Sequence, residues 1–185
     1  MLVLVVGPSG AGKDTLLDGA RAAFAGDPGI VFVRRAITRP EDAGGEAHAP
    51  LSEADFAARE RAGGFALSWR AHGLAYGIPA SIAADLAAGR VVIANVSRTV
   101  IEEAAAKFPV HVIEITAPPE ILAARLAARG REDQAMQAAR LSRAVMLPEG
   151  VAATIVLNDA TPAIGIERFR AAIAAIRAAS PVRRS

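Results

Sequence analysis

The chain has no cysteine, which excludes disulfides, thiol nucleophiles and cysteine-held metals. Aromatic residues are scarce, with one tryptophan and one tyrosine in the whole chain. Lysine is scarcer than its charge class suggests: of 21 basic residues only Lys13 and Lys107 are lysines. The formal net charge of +2 gives no bulk field of the kind that holds a protein on nucleic acid. No apolar run approaches the roughly 20 residues that span a bilayer, and the apolar opening is too short for a signal peptide and has no basic leader. No repeat recurs at a period of roughly 20–50 residues. These absences lead us to expect a single domain over residues 1–185, cytoplasmic, with small molecules as partners and neither nucleic acid nor membrane. The sequence leaves the oligomeric state open.

What is present is concentrated near the start. Leu2-Val3-Leu4-Val5-Val6 is apolar and mostly β-branched, and Leu16, Leu17 and Ala20 mark a helix. Between them lies Gly7-Pro8-Ser9-Gly10-Ala11-Gly12-Lys13-Asp14-Thr15. Strand, glycine-rich loop and helix in that order form a phosphate-binding loop. Glycines let backbone N–H groups curl around a phosphate, the helix N-terminus adds partial positive charge, and Lys13 would reach the β- and γ-phosphates. The residue after the lysine is usually a serine or threonine that binds Mg²⁺; here it is Asp14. The competing reading of this stretch is a Gly-rich turn with a surface lysine.

Beyond the loop, strands and helices alternate. Strands are expected at 31–33, 91–96, 110–115 and 154–157, with an extended stretch at 65–69. Helices are expected from the Ser52 cap to about Ala62, from Pro79 to Gly89, from the Ser97 cap to about Lys107, from Pro118-Pro119 through Leu122 and Leu126, and over 164–176. His72 to Gly77 reads as turn-rich. This alternation implies a parallel sheet with helices on both faces and ligands beyond the carboxyl ends of its strands.

Three further groups carry chemistry. Arg125 and Arg129 share a helix face, Gly130 breaks that helix, and Arg140 and Arg143 follow on another. The pattern reads as a helical lid over about 125–143, whose arginines would stabilise charge in phosphoryl transfer, or else as a solvated arginine-rich hairpin. Arg34, Arg35, Thr38 and Arg39 follow the second strand and suit an anionic acceptor, unless one is paired with Glu41 or Asp42. His48 and His72 are candidates for substrate contact, while His111, alternating within a strand, reads as structural. There is no histidine cluster for a transition metal and no G-x-S-x-G turn for a serine hydrolase.

The loop GPSGAGK, Thr38-Arg39-Pro40, Tyr76-Gly77, the run from Arg125 to Glu132, Arg140-Leu141 and Asn158-Asp159 resemble, in that order, the guanylate kinase branch of the nucleoside monophosphate kinases. The resemblance covers nearly the whole chain. It implies a three-layer α/β/α P-loop kinase fold with a helical lid and an acceptor-binding region over about 34–80. It implies ATP phosphates on residues 7–15, lid roles for Arg125, Arg129 and Arg140, acceptor roles for Thr38, Arg39 and Tyr76, and Asn158 near the adenine. Two guanine-reading acidic positions are Leu67 and Asn95 here, and an acceptor-loop arginine is missing near Asp42, which argues against GMP. The set Gly12-Lys13-Asp14-Thr15, Ile37 to Pro40, Gly44 to His48, Trp69 to Pro79 and Asn95 to Arg98 is similar to the ribose 1,5-bisphosphate phosphokinase family of phosphonate breakdown. That similarity implies ATP and Mg²⁺ as cofactors, a sugar phosphate as acceptor, and 5-phosphoribosyl 1-diphosphate as product. Asp14 belongs to that family's pattern and is expected at the metal, directly or through water. Arg35 and Arg98 are expected to clamp the acceptor's second phosphate. The alternatives are a nucleoside monophosphate kinase with altered base choice, a small-metabolite hydroxyl kinase and a non-catalytic binding module of the same fold.

Overall fold

The structure, a computed structural model, describes residues 1–40, 47–128 and 147–180. By its internal contacts the chain divides into two compact units. One is built from residues 1–4 and 27–110, the other from 5–26 and 111–181.

A five-stranded sheet has the order β2-β7-β1-β8-β9. Its strands are β1 (Leu2–Val6), β2 (Ile30–Phe32), β7 (Val91–Asn95), β8 (Val110–Thr116) and β9 (Ala152–Leu157). β2 pairs with β7, and β8 with β9, in parallel. The central strand β1 is buried at all five positions, as a continuous apolar run in a parallel sheet should be.

In the first unit a second sheet has the order β4-β3-β6-β5, with β3 (Ala36–Ile37), β4 (Ala49–Pro50), β5 (Phe65–Ala71) and β6 (Leu74–Pro79). Here the expectation at 72–79 is corrected. His72 and Gly73 alone make the turn, both with positive φ (52° and 73°), and Ala71 pairs with Leu74. Two residues at φ > 0 between antiparallel strands make a hairpin whose twist matches the strands. Pro79 therefore closes β6 instead of opening a helix, and the next helix, α3, starts later, at Ile82–Ala87. Gly89 ends it as expected, at φ 75°. Helix α2 (Glu53–Arg61) is capped as expected, Ser52 Oγ accepting from the Asp55 N–H at 3.0 Å. Ser97 caps a short 3-10 turn, Arg98–Val100, that leads into α4 (Ile101–Lys107).

The second unit carries α1 (Lys13–Ala23), α5 (Pro119–Ala127) and α6 (Pro162–Ala179). α1 buries Leu16, Leu17 and Ala20; α6 buries Gly165, Phe169, Ile173 and Ile176 along one stripe. A Cβ at Gly19 would lie 2.4 Å from Ile166 Cδ1, so the missing side chain lets α6 come close to α1. No helix among the described residues is long and apolar enough to cross a membrane.

His111 on β8 is structural, as its alternation suggested. Its Nε2 lies 2.8 Å from Thr154 Oγ1, and burial pushes its pKa below the usual 6.5. The fold favours the neutral ring, so its stabilisation is complete above the ordinary value and is lost as pH falls through the depressed one. Thermal unfolding followed from about pH 7 to about pH 5 should therefore show a steeper loss of Tm in the parent than in His111→Gln. Parallel profiles would contradict this.

Candidate active site

The phosphate loop belongs to the second unit. Gly7 leaves β1 with φ 151°, where a Cβ would stand 2.1 Å from the Ile115 carbonyl oxygen of β8. Gly12 caps α1 with φ 84°, where a Cβ would stand 2.5 Å from Asn158 Nδ2. Both positions thus require glycine for conformation and for space. Between them the Ala11 N–H reaches the Pro8 carbonyl at 3.3 Å and closes the turn. Lys13 Nζ folds back into the loop, donating to the Gly7 and Pro8 carbonyls at 2.8 and 3.1 Å. A single ammonium thus sits within the curl of the loop, at the start of a helix whose dipole favours anions. Ser9 and Thr15 are exposed, Gly10 and Ala11 are buried, and Asp14 lies half-buried in the first turn of α1.

Two residues from elsewhere in this unit meet the loop. Asn158, 4% exposed at the end of β9, donates from Nδ2 to the Ala11 carbonyl at 2.8 Å. It is itself anchored. Its N–H donates to the Thr116 carbonyl at 2.7 Å, and Arg168 Nη1 donates to Leu157 O and Asp159 Oδ1 on either side, each at 2.7 Å. The Arg168 guanidinium holds the Asp159 carboxyl below its ordinary range. Asn158, expected beside an adenine, ties the end of β9 to the loop through its bond to the Ala11 carbonyl. Arg125, on the last turn of α5, brings Nη1 to 3.9 Å from where a Cβ of Gly12 would be. That nitrogen is buried and has no hydrogen-bond partner among the described residues. Arg129 and Arg140, the other expected lid residues, lie outside the described residues, as do Glu41 to Glu46.

The arginines of the expected acceptor segment belong to the first unit, on and beside the second sheet. Thr38 is locked to β6: its N–H donates to the Ala75 carbonyl at 3.0 Å and its Oγ1 accepts from the Ala75 N–H at 2.8 Å. One lone pair of the hydroxyl is thus spent on the backbone, and its hydrogen remains able to donate. β3 pairs with β6 so that Ile37 faces Tyr76. The Arg35 guanidinium lies over the Tyr76 ring, 5.5 Å from its centroid. The Tyr76 ring stacks on Trp69, its cross-strand partner, at 5.3 Å and 4° between planes. Arg39 meets His48, which is 2% exposed just before β4. Asn95 closes β7 at 5% exposure, and Arg98 stands in the turn after it. His72 is exposed in the hairpin turn.

Trp69 was not among the expected site residues. Its signal was available: His72-Gly73 fixes a two-residue turn, and counting outward from it sets Trp69 opposite Tyr76. Leu67, standing where guanylate kinases read guanine, is 1% exposed and offers no hydrogen bond to a base. Among the described residues no group of three or more His, Asp and Glu could by itself hold a metal.

No protein-family model matches the chain. Among curated proteins it is 55% identical over 161 residues to a ribose 1,5-bisphosphate phosphokinase of Acidiphilium cryptum, covering 87% of this chain and 85% of that one. It is 58% identical over 143 residues to one from Methylobacterium radiotolerans, covering 77% and 81%. It is also 53% identical over 177 residues to a bifunctional ribose 1,5-bisphosphokinase-thymidine phosphorylase of Azorhizobium caulinodans; that match takes in 95% of this chain and 26% of the relative. The chain thus spans about a quarter of the length of that bifunctional relative. Of solved structures, a guanylate kinase from Anaplasma phagocytophilum superposes with a TM-score of 0.64 at 18% identity, over 96% of this chain and 85% of that one. A sugar kinase from Janibacter sp. HTCC2649 superposes at 0.51 with 19% identity, over 98% of both. These likenesses carry the fold, a guanylate kinase-like α/β fold around a phosphate loop. The fold and the extent of identity together establish that the chain belongs to the ribose 1,5-bisphosphate phosphokinase family.

Proposed function

We propose that the protein transfers the γ-phosphoryl group of ATP to the 1-phosphate of ribose 1,5-bisphosphate, giving 5-phosphoribosyl 1-diphosphate and ADP in the cytoplasm during phosphonate breakdown. The observation that carries this reading is the 55% identity over most of the Acidiphilium relative, whose name states the reaction class. The glycine loop with the Lys13 ammonium in its curl supports the donor half.

The nucleophile is an oxygen of a phosphate monoester, already anionic, so no side chain has to remove a proton. One P–O bond forms at the γ-phosphorus, the bond to ADP breaks, and both departing and arriving oxygens carry negative charge. The chain's task is to hold two polyanions together and cancel their charge. Lys13 and backbone N–H groups of the glycine loop hold the donor phosphates, and Arg125 reaches over the loop at Gly12 to neutralise charge that grows in transfer. Arg129 and Arg140, which the resemblance assigns to the same task, lie outside the described residues. Thr38, Arg39 and Tyr76 hold the acceptor phosphate, with Arg35 and Arg98 on the second phosphate and His72 and Asn95 beside the sugar. A guanidinium grips phosphate through two parallel N–H bonds, which a lysine cannot match.

Mg²⁺ fits this donor set. The ion keeps most of its water and takes one or two carboxylates besides nucleotide oxygens, and Asp14 supplies a carboxylate immediately after Lys13. When bound, it would supply positive charge against the phosphates, and Asp14 would hold it, directly or through a bound water. Asp14→Ser exchanges a charged ligand for a neutral hydroxyl, and the Mg²⁺ concentration for half-maximal rate should rise severalfold, on the order of one lost charge contact. An unchanged metal dependence would remove Asp14 from the metal site.

The test is to incubate the protein with Mg-ATP and, separately, ribose 1,5-bisphosphate, GMP, AMP or gluconate, and to measure ADP. Turnover with the bisphosphate well above the others is expected. Turnover with GMP alone would overturn the acceptor assignment. ADP from none would point to a binding module.

A further inference from the structure

We propose that His48 is a positioning residue that aims Arg39 at the acceptor phosphate and does not touch the substrate itself. The inference rests on the acceptor role proposed above for Arg39.

His48 is 2% exposed, so a ligand has almost no surface of it to contact. Each ring nitrogen has an atom of Arg39 within reach. Nε2 lies 3.0 Å from the Arg39 carbonyl oxygen, and Nδ1 lies 3.5 Å from Arg39 Nη2. A carbonyl oxygen only accepts, so Nε2 carries the proton; a guanidinium only donates, so Nδ1 presents its lone pair. The Nε2–H tautomer satisfies both contacts at once. The first contact fixes the backbone of Arg39 and the second its guanidinium. The neighbouring backbone is fixed independently, because Thr38 is bonded twice to Ala75. The side chain of Arg39 therefore leaves a rigid strand end with one side held by an imidazole. Its Nε–H is buried and has no hydrogen-bond partner among the described residues. A buried N–H of a charged group without a partner is costly, and its retention is explained if an anion completes it. An arginine that must meet phosphate with two parallel N–H bonds gains from being held in the plane beforehand.

The test is a double-mutant cycle of His48→Ala and Arg39→Ala, followed by the KM values for ribose 1,5-bisphosphate and for ATP. In His48→Ala the acceptor KM should rise roughly tenfold, the loss expected of one hydrogen bond to a charged group, while the KM for ATP stays level. On the Arg39→Ala background the same change should move the acceptor KM by less than about twofold, because the residue it acts through is gone. His48→Asn, whose Oδ1 stands where Nδ1 stood and can still accept from Nη2, should recover part of the loss. Two independent, multiplying effects would overturn the proposal.

A second arm does not depend on turnover. Nitrogen-15 shifts of His48 in the unliganded protein should show the Nε2–H tautomer, with the Nδ1 signal moving in Arg39→Ala. A proton on Nδ1, or a signal blind to Arg39, would overturn the proposal even if a His48 variant failed to fold. A parent protein that ignores ribose 1,5-bisphosphate would defeat the proposed function instead; the nitrogen shifts would then decide His48 alone.

Discussion

Replacing Lys13 with alanine should lower kcat for ATP-dependent transfer by about 10²–10³-fold, the scale on which removal of one preorganised donor to transition-state charge acts. The fold should survive. The curl of the loop is set by positive φ at Gly7, Gly10 and Gly12 and by the bond from Asn158 to the Ala11 carbonyl. Lys13 adds hydrogen bonds from the end of its side chain, from Nζ to the Gly7 and Pro8 carbonyls. Those carbonyls belong to a half-buried stretch and can turn to water, so the stability loss should stay near about 1 kcal/mol. The check is kcat beside a denaturant titration of both proteins. Full activity in Lys13→Ala would refute the role given to the loop, and collapse of stability would refute the claim that backbone geometry shapes it.

Gly7→Ala should do the reverse and damage the fold first. A methyl group at Gly7 would lie 2.1 Å from the Ile115 carbonyl oxygen, a backbone atom with no rotamer to change. The φ of 151° adds strain for any L side chain. Relief requires β1 and β8 to part at the point where the loop begins. Overpacking and strain together should cost about 3 kcal/mol or more, and nucleotide binding should fall with it. Gly26→Ala is the control: a Cβ there meets nothing within 4 Å, and the change should be nearly neutral, within about 0.5 kcal/mol. Equal stabilities for the two variants would show that the approach of loop to β8 is not needed.

The loop was legible in the sequence because each of its parts has a local cause. A β-branched run makes the strand, glycines make the turn, and Leu16, Leu17 and Ala20 make a helix face. The Ser52 cap was legible for the same reason. The second sheet was not. β3 and β4 are two residues each, too short for any period, and are fixed by bonds such as Ala49 N–H to the Arg35 carbonyl at 2.8 Å. Pro79 reads as a helix opener wherever a helix follows. Its pairing with Phe65, across the hairpin, makes it a strand end, and that pairing is invisible without the register. His48 and Asn158 are the instructive residues of the site. Sequence expects both near ligands. In the structure both are buried, 2% and 4% exposed, and they meet Arg39 and Ala11, partners that lie nine residues and 147 residues away in the chain. A polar residue's distant partner is set by topology, which local pattern does not carry.

The central claim is that the acceptor is a phosphate and not a hydroxyl, and phosphorus-31 NMR of the product tests it most directly. With Mg-ATP and ribose 1,5-bisphosphate the account predicts a diphosphate on carbon 1, seen as a pair of mutually coupled phosphorus doublets beside an unchanged 5-phosphate singlet, formed in step with ADP. A new uncoupled monoester signal, from transfer to a ribose hydroxyl, would contradict it.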